Sequence, residues 1–371
     1  MRISALGLAN FRSHELLQIE LAAGTTSIVG RNGLGKTNII EAIHYSATLD
    51  SHRVAQDAPL IRHDCASAFL EVTAQKHGRV AKVAVTINRD KANVVELNGS
   101  SVRRPRDVVG VIQVVIFSPE DLDLVKNEPA VRRRFLDDFL MLQSPRMADI
   151  KQDYERALKQ RNSLLKSAGR RTLSETARNT LVAWDEQLIN YGAELVLARL
   201  KAIEALLPHV REFGNVISGT TEPIMASYQS SWLIEQTQSL TSISEQLRDA
   251  LATRHNEEID RGLTLSGPHR DDLMLELANA PVRNYASHGQ SWSVAIALRM
   301  ATFAVLREHD SDPVLILDDV FAELDAKRRA RLVATIADVE QTIITVADVQ
   351  DVPTDLAGVQ YWLEDAAAHV E

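Results

Sequence analysis

Apolar residues change their spacing along the chain, and the changes mark out its organisation. Two short apolar runs, residues 3–8 and 26–29, read as strands on either side of Asn10-Phe11-Arg12-Ser13-His14. From residue 37 to about 49 the period lengthens to that of a helix, with Ile40, Ile43 and Ala47 on one face. Alternation returns over residues 69–73, 80–87 and 94–97, and Asn98-Gly99 supplies a hairpin turn, so an antiparallel meander is predicted there. Residues 108–117 form a largely β-branched apolar run, the pattern of a buried strand.

The character changes at Ser118-Pro119-Glu120-Asp121. From about residue 129 to 251 the chain reads as helices. Leu181, Trp184, Leu188, Tyr191 and Leu195 recur every three or four positions, and Pro208 is predicted to end that helix. Val131, Phe135 and Phe139, with Leu136 and Leu140, make a second stripe; both read as helix-to-helix core. Strand-like patterns resume after residue 262. They are followed by a helix over 289–307, a buried strand over 314–317, a helix over 327–337 and a last strand over 342–346. The expected fold is α/β: a mixed sheet with an antiparallel subdomain, split by an inserted helical domain. The expected boundaries are 1–125, 126–255 and 256–371.

Composition narrows the class. The 371 residues are 45% hydrophobic and 25% charged, an ordinary globular balance with material for more than one domain. Aromatics are only 5%, which argues against a base-stacking platform. The net charge of −9 argues against a generally basic nucleic-acid binder but leaves room for a local basic face. One cysteine, Cys65, can form neither an internal disulfide nor a thiolate cluster, which suits a reducing compartment. Charged residues from Arg2 onward give no signal-peptide pattern, and no apolar run approaches the roughly 18 residues of a membrane span. A cytoplasmic protein without membrane contact is expected.

The chemistry concentrates at Gly30-Arg31-Asn32-Gly33-Leu34-Gly35-Lys36-Thr37-Asn38, which matches the phosphate loop G-x-x-x-x-G-K-[ST] between a strand and a helix. The glycines allow successive N–H groups to face one anion, and the helix start adds its own free N–H groups. Lys36 would reach the outer phosphates and the Thr37 hydroxyl would bind Mg²⁺, so ATP and Mg²⁺ are the expected ligands. Val314-Leu-Ile-Leu317-Asp318-Asp319 has the form of a Walker B strand: Asp318 for Mg²⁺, Asp319 to orient or deprotonate the attacking water. Ser287-His-Gly289-Gln290 opens the 289–307 helix and reads either as an anion-facing signature or as a plain helix cap.

In this order, with Glu323-Leu324-Asp325 after the acids, the elements resemble an ABC-type ATPase head of the SMC group. Four further stretches resemble the RecF family: Asn10-Phe-Arg12; Phe117-Ser-Pro-Glu-Asp121-Leu with Arg132-Arg133; Ser266-Gly-Pro-His-Arg270-Asp-Asp272; and Asp318-Asp-Val-Phe-Ala-Glu-Leu-Asp325. The resemblance implies a slow ATPase, stimulated by DNA, in which two heads sandwich two ATP molecules. Ser287 of one subunit then acts on the γ-phosphate held by the other. It also implies binding to DNA at gaps and at junctions between single and double strands, partners RecR and RecO, and help in loading RecA during recombinational repair and replication restart. Arg53, in Ser51-His52-Arg53, falls where SMC heads carry an arginine near the γ-phosphate; a solvated surface arginine is the other reading.

Several features depart from the pattern. Asp319 stands where many ABC ATPases have Glu, and its shorter side chain suggests slow hydrolysis. No clear Q-loop glutamine is present; Gln113 lies inside the predicted strand and Glu120 follows it. No switch histidine follows residues 342–346, where the polar residues are Thr345 and Asp348. DNA contact needs a basic face, and residues 126–171 hold 12 basic against 6 acidic side chains. Arg132, Arg133, Arg134, Lys159, Arg161, Lys166, Arg170 and Arg171 are the candidates, with a solvated helix face as the alternative. A transporter's nucleotide-binding subunit is the rival function, disfavoured by the helical insertion. An SMC-like clamp would need far longer heptad arrays.

Overall fold

Six strands, β1 (Arg2–Phe11), β2 (His14–Glu20), β4 (Ser67–Lys76), β5 (Arg79–Asn88), β6 (Val94–Leu97) and β7 (Ser100–Ser101), pair antiparallel in the order β2-β1-β4-β5-β6-β7. They belong to a computed structural model that describes residues 1–54, 56–168, 175–233, 239–309, 312–356, 358–364 and 367–370. A second six-stranded sheet has the order β15-β14-β3-β13-β12-β8. Its members are β3 (Gly24–Val29), β8 (Val114–Phe117), β12 (Val314–Asp318), β13 (Gln341–Val346), β14 (Val359–Glu364) and β15 (Ala367–Val370), all parallel except the β14–β15 pair.

Helix α1 (Lys36–Thr48) touches β1, β4 and β5 of the first sheet and β8 and β12 of the second. Ile39, Ile40 and Ile43 are fully buried in a core shared with both sheets, which fixes where α1 begins and therefore where the phosphate loop lies. Burial of three such side chains contributes on the order of 5–9 kcal/mol.

The chain divides into two compact units. The first comprises Met1–Leu122, His209–Pro223 and Ala286–Glu371; the second comprises Asp123–Pro208 and Ile224–Tyr285. The second unit extends beyond residue 255 because β10 (Asp272–Leu277) pairs with β9 (Ile224–Gln229) and with β11 (Ala280–Pro281) in a small antiparallel sheet. Around it lie α3 (Pro129–Gln143), α4 (Arg146–Ala168), most of α5 (Glu175–Ser218), α6 (Leu240–Arg261) and α7 (Val282–Tyr285), while α2 (Leu122–Lys126) falls at the boundary. In the first unit, α8 (His288–Glu308) and α9 (Ala326–Ile336) flank β12 in sequence.

Three elements differ from the pattern-based expectation. The 108–117 run is a strand only from Val114, because Gly110 takes a left-handed φ of +83° and breaks it. Residues 14–20 form a strand that was not predicted. Pro208 lies inside α5 and does not end it. No helix among the described residues is long and apolar enough to cross a membrane.

Candidate functional site

β3 delivers Gly30 to the carboxyl end of the parallel sheet, where ligands of open α/β sheets gather. Gly33 and Gly35 sit at φ +92° and +95°, in the left-handed region that L side chains rarely adopt. At Gly35 space demands glycine too: a Cβ would lie 2.5 Å from Ser13 Oγ and 2.6 Å from His14 Nε2. No side chain caps the start of α1. The helix start therefore leaves its dipole and its free N–H groups open to an anion. Lys36 is only 4% exposed and folds back on the loop, donating to Gly30 O at 2.7 Å and Asn32 Oδ1 at 3.3 Å. Those are the contacts that phosphate oxygens would take over.

The loop meets the Walker B strand directly. Thr37 Oγ1 donates to Asp318 Oδ1 at 3.4 Å. β12 and β13 pair Asp318 opposite Thr345, whose hydroxyl also bonds Asp318. The Asp319 N–H donates to Thr345 Oγ1 at 3.0 Å, and Asp319 itself is held at φ +51°, a strained conformation for a residue with a side chain. Burial pushes Asp318 up to about 6, with help from Asp319 and Glu120 and against the Thr345 and Thr37 hydroxyls. Asp319 is raised by burial and by Asp351 and Glu120, while Lys36 pulls it down. A buried carboxylate beside a hydroxyl, with carboxylate neighbours, suits Mg²⁺, a cation that keeps few protein ligands. No cluster of three or more His, Cys, Asp or Glu side chains offers a complete metal cage among the described residues.

Arg53 lies at the loop's exit, its Nη1 3.2 Å from Asn38 Oδ1. Ser287 caps α8: its Oγ accepts from Gln290 N at 3.3 Å, and Gln290 Oε1 accepts from Ser287 N at 2.9 Å. Ser287 is exposed, and the bonds of Ser287 and Gln290 run to each other, to Ser291 and to Glu222, none to the phosphate loop. A Cβ at Gly289 would stand 2.9 Å from the Arg328 guanidinium, the far end of a side chain that pairs with Asp325, the cap of α9. Gln113 precedes β8, at the sheet end away from the phosphate loop, and its position does not suit a Q-loop role. Glu120 follows β8, at the end where Asp318 lies, on a turn fixed by Ser118, by Asp121 and by Arg299, which donates to Asp121 at 2.6 and 3.0 Å.

The basic candidates separate sharply. Arg132 is 5% exposed and bonds Asp272 through Nε and Nη2, both at 2.8 Å. Arg161 is fully buried between Asp185 (2.6 Å), Glu258 (2.7 Å) and Thr264 (2.9 Å). Neither offers its charge to a DNA surface, because each is itself buried and paired with carboxylates of the second unit: Arg132 with half-buried Asp272, Arg161 with half-buried Asp185 and fully buried Glu258. Arg133 is half-buried and donates to Asp271 O at 2.7 Å, and Arg134 approaches Asp138 at 3.8 Å. Lys159 and Lys166 are exposed on α4. Arg170 and Arg171 lie outside the described residues. The residues that sequence reasoning gave no site role are Arg12, Glu41 and Ser51 beside the loop; Thr345, considered there only as a stand-in for a switch histidine, supports both acids.

Residues 2–353 match the family described as the RecF/RecN/SMC N terminal domain. The chain is similar to the DNA replication and repair protein RecF of Frankia alni, 46% identical over 367 residues with 97% of each chain covered. It is 45% identical over 371 residues to the RecF of Streptomyces avermitilis, with 98% of each covered. Among solved structures, the recombination mediator protein RecF with ATP, of the RecFOR pathway, superposes with a TM-score of 0.92 at 26% identity, covering 100% of this chain and 97% of that one. An Smc head domain from Pyrococcus furiosus shares the fold at 16% identity and a TM-score of 0.55, covering 100% of this chain and 95% of that one.

Proposed function

Because the chain belongs to the RecF family, we propose that it is a DNA-repair ATP-binding protein whose phosphate loop closes a dimer on DNA. The observation that carries this reading is the convergence of Lys36, Thr37 and Asp318 at the carboxyl end of one parallel sheet. In it, Lys36 exchanges Gly30 O and Asn32 for phosphate oxygens, and the α1 N-terminus faces the same anion. Thr37 and Asp318 would hold Mg²⁺, which neutralises charge on the phosphates. Asp319, fixed by Thr345, orients the attacking water. Its side chain is one methylene shorter than Glu, so turnover is slow and ATP binding, more than hydrolysis, sets the state of the protein. Ser287, exposed and unengaged with its own loop, completes the site of a second copy. Contact with gapped or junction DNA, with RecR and RecO, and assistance to RecA belong to the same proposal. A transporter subunit would show no change in ATP turnover with DNA.

Sedimentation velocity without nucleotide, with ADP and with ATP tests the central step, beside Ser287→Arg. Dimer with ATP alone, lost in Ser287→Arg, is the expected result. A monomer in every condition, DNA included, would overturn the closing mechanism.

A further inference from the structure

Four residues after Thr37, the apolar face of α1 carries a carboxylate, Glu41, with no exposure at all. A buried charge is costly unless it is paired and hydrogen-bonded, so its partners reveal its role. Arg12 donates to it twice, Nε to Oε2 at 2.8 Å and Nη2 to Oε1 at 2.6 Å. Ser51 Oγ donates to Oε1 at 2.5 Å. Arg53 Nη1 approaches Oε2 at 3.4 Å. One carboxylate thus serves two guanidiniums, which leaves one positive charge over beside the phosphate loop.

The two arginines are held very differently. Arg12 is planar-bidentate on Glu41, its third guanidinium nitrogen donates to Pro59 O at 3.0 Å, and its backbone N–H to Leu60 O at 2.8 Å. Its backbone is locked at φ +53°, strain that persists because these contacts over-determine it. Among the described residues the Arg53 side chain has only long contacts, to Asn38 and Glu41, and it is 35% exposed. Both line an open cavity of about 630 Å³ with Ser13, Asn38, His63 and Arg89, Asn38 being the residue directly after the phosphate loop, and no described lining residue is acidic. The surplus charge therefore faces an opening fit for an anion.

We propose that Glu41 is a positioning residue for the triphosphate: it locks Arg12 in place and holds Arg53 loosely, so that Arg53 trades Glu41 for the terminal phosphate. Asn38 and Glu41, three residues apart on one helix face, make the two ends of that exchange. Ser51 supports it from both sides, since its hydroxyl also accepts from the Arg53 N–H at 3.0 Å. This inference rests on the ATP reading of the same loop.

Titration calorimetry with ADP and with a non-hydrolysable ATP analogue tests it. Glu41→Gln and Arg53→Ala should each weaken the triphosphate by about tenfold, or about 1.4 kcal/mol, and ADP by less than about threefold. The double variant should be no worse than Arg53→Ala alone, because Glu41 acts through that arginine. Equal losses for both nucleotides, or losses that multiply in the double variant, overturn the proposal. If Glu41→Gln does not fold, Ser51→Ala decides. It leaves every charge in place and should weaken the triphosphate by about threefold with ADP unchanged; no change, or an equal change for both, overturns the proposal. Failure of the ATP reading looks different: the unaltered protein binds neither nucleotide, or Lys36→Ala binds ATP as tightly as the unaltered protein.

Discussion

Asp271 is 1% exposed, and its carboxylate accepts the Tyr228 hydroxyl at 2.7 Å and the Trp232 indole N–H at 2.9 Å. Burial pushes it from its ordinary 3.8 up to about 6, against those hydrogen bonds and the field of Arg199. Two positions earlier in the chain, burial lowers His269 from 6.5 to about 4, outweighing its bond to Thr264. The two groups act in opposite directions. Folded Asp271 takes up its proton more readily than the unfolded chain does, so acidification from above pH 6 towards 4 stabilises the fold through it. Folded His269 resists protonation, so the stability it lends above its ordinary value is lost as pH falls over the same window. Asp271→Asn should uncouple them. At pH 7.5 the variant should gain up to about 3 kcal/mol, because a costly ionised group is gone, and that advantage should fade as pH falls towards 4. Urea midpoints at pH 7.5 and 4.5 measure it; a variant equally less stable at both would refute the assignment.

Among the elements, α5 shows what a one-residue rule misses. Pro208 removes a helix hydrogen bond and crowds the preceding turn, at a cost of about 3 kcal/mol in a helix interior. The helix nevertheless continues to Ser218, and Leu206 before the proline and Val210 and Ile217 after it are each buried. Pro208→Ala should therefore stabilise the protein, by about 1–3 kcal/mol, seen as a higher urea midpoint with unchanged helical circular dichroism. An unchanged or lower midpoint would mean that the proline suits a bend the fold requires. β2 was hidden for another reason: Leu16 and Leu17 are adjacent, so strict alternation fails, although only Leu17 is buried and Leu16 faces out. The phosphate loop and Walker B strand were legible because a contiguous motif dictates backbone shape on its own. The fates of Arg132 and Arg161 were not, since their partners Asp272 and Glu258 lie 140 and 97 residues further on. For the same reason Arg12 could be quoted as part of a resemblance, while its bond to Glu41 depended on a hairpin meeting α1.

At the scale of the whole molecule, a chain with net charge −9 must meet DNA through a confined surface. If six phosphates were neutralised by such a surface, log affinity would fall with log salt at a slope of roughly −5. The fold divides the candidate cations by the work each charge already does. Arg161 neutralises Glu258, which has no exposure, so Arg161→Ala strands a buried carboxylate and should destabilise the second unit by about 3–5 kcal/mol. Lys159 and Lys166 stand seven residues apart on one exposed face of α4 and keep their charges for solvent or for a polyanion. Lys159→Ala with Lys166→Ala should weaken binding to junction DNA, independently of its sequence, and make the salt slope shallower by about 2, with the melting temperature little changed. Arg161→Ala should show the reverse: a lower melting temperature and, for the fraction still folded, the slope of the unaltered protein. Fluorescence anisotropy of a labelled junction across a salt series, beside thermal unfolding, separates the two. An unchanged slope in the double lysine variant would move the DNA surface off this face of α4. A shallower slope in a fully folded Arg161→Ala protein would mean that the buried ion pair opens to let Arg161 reach the phosphates.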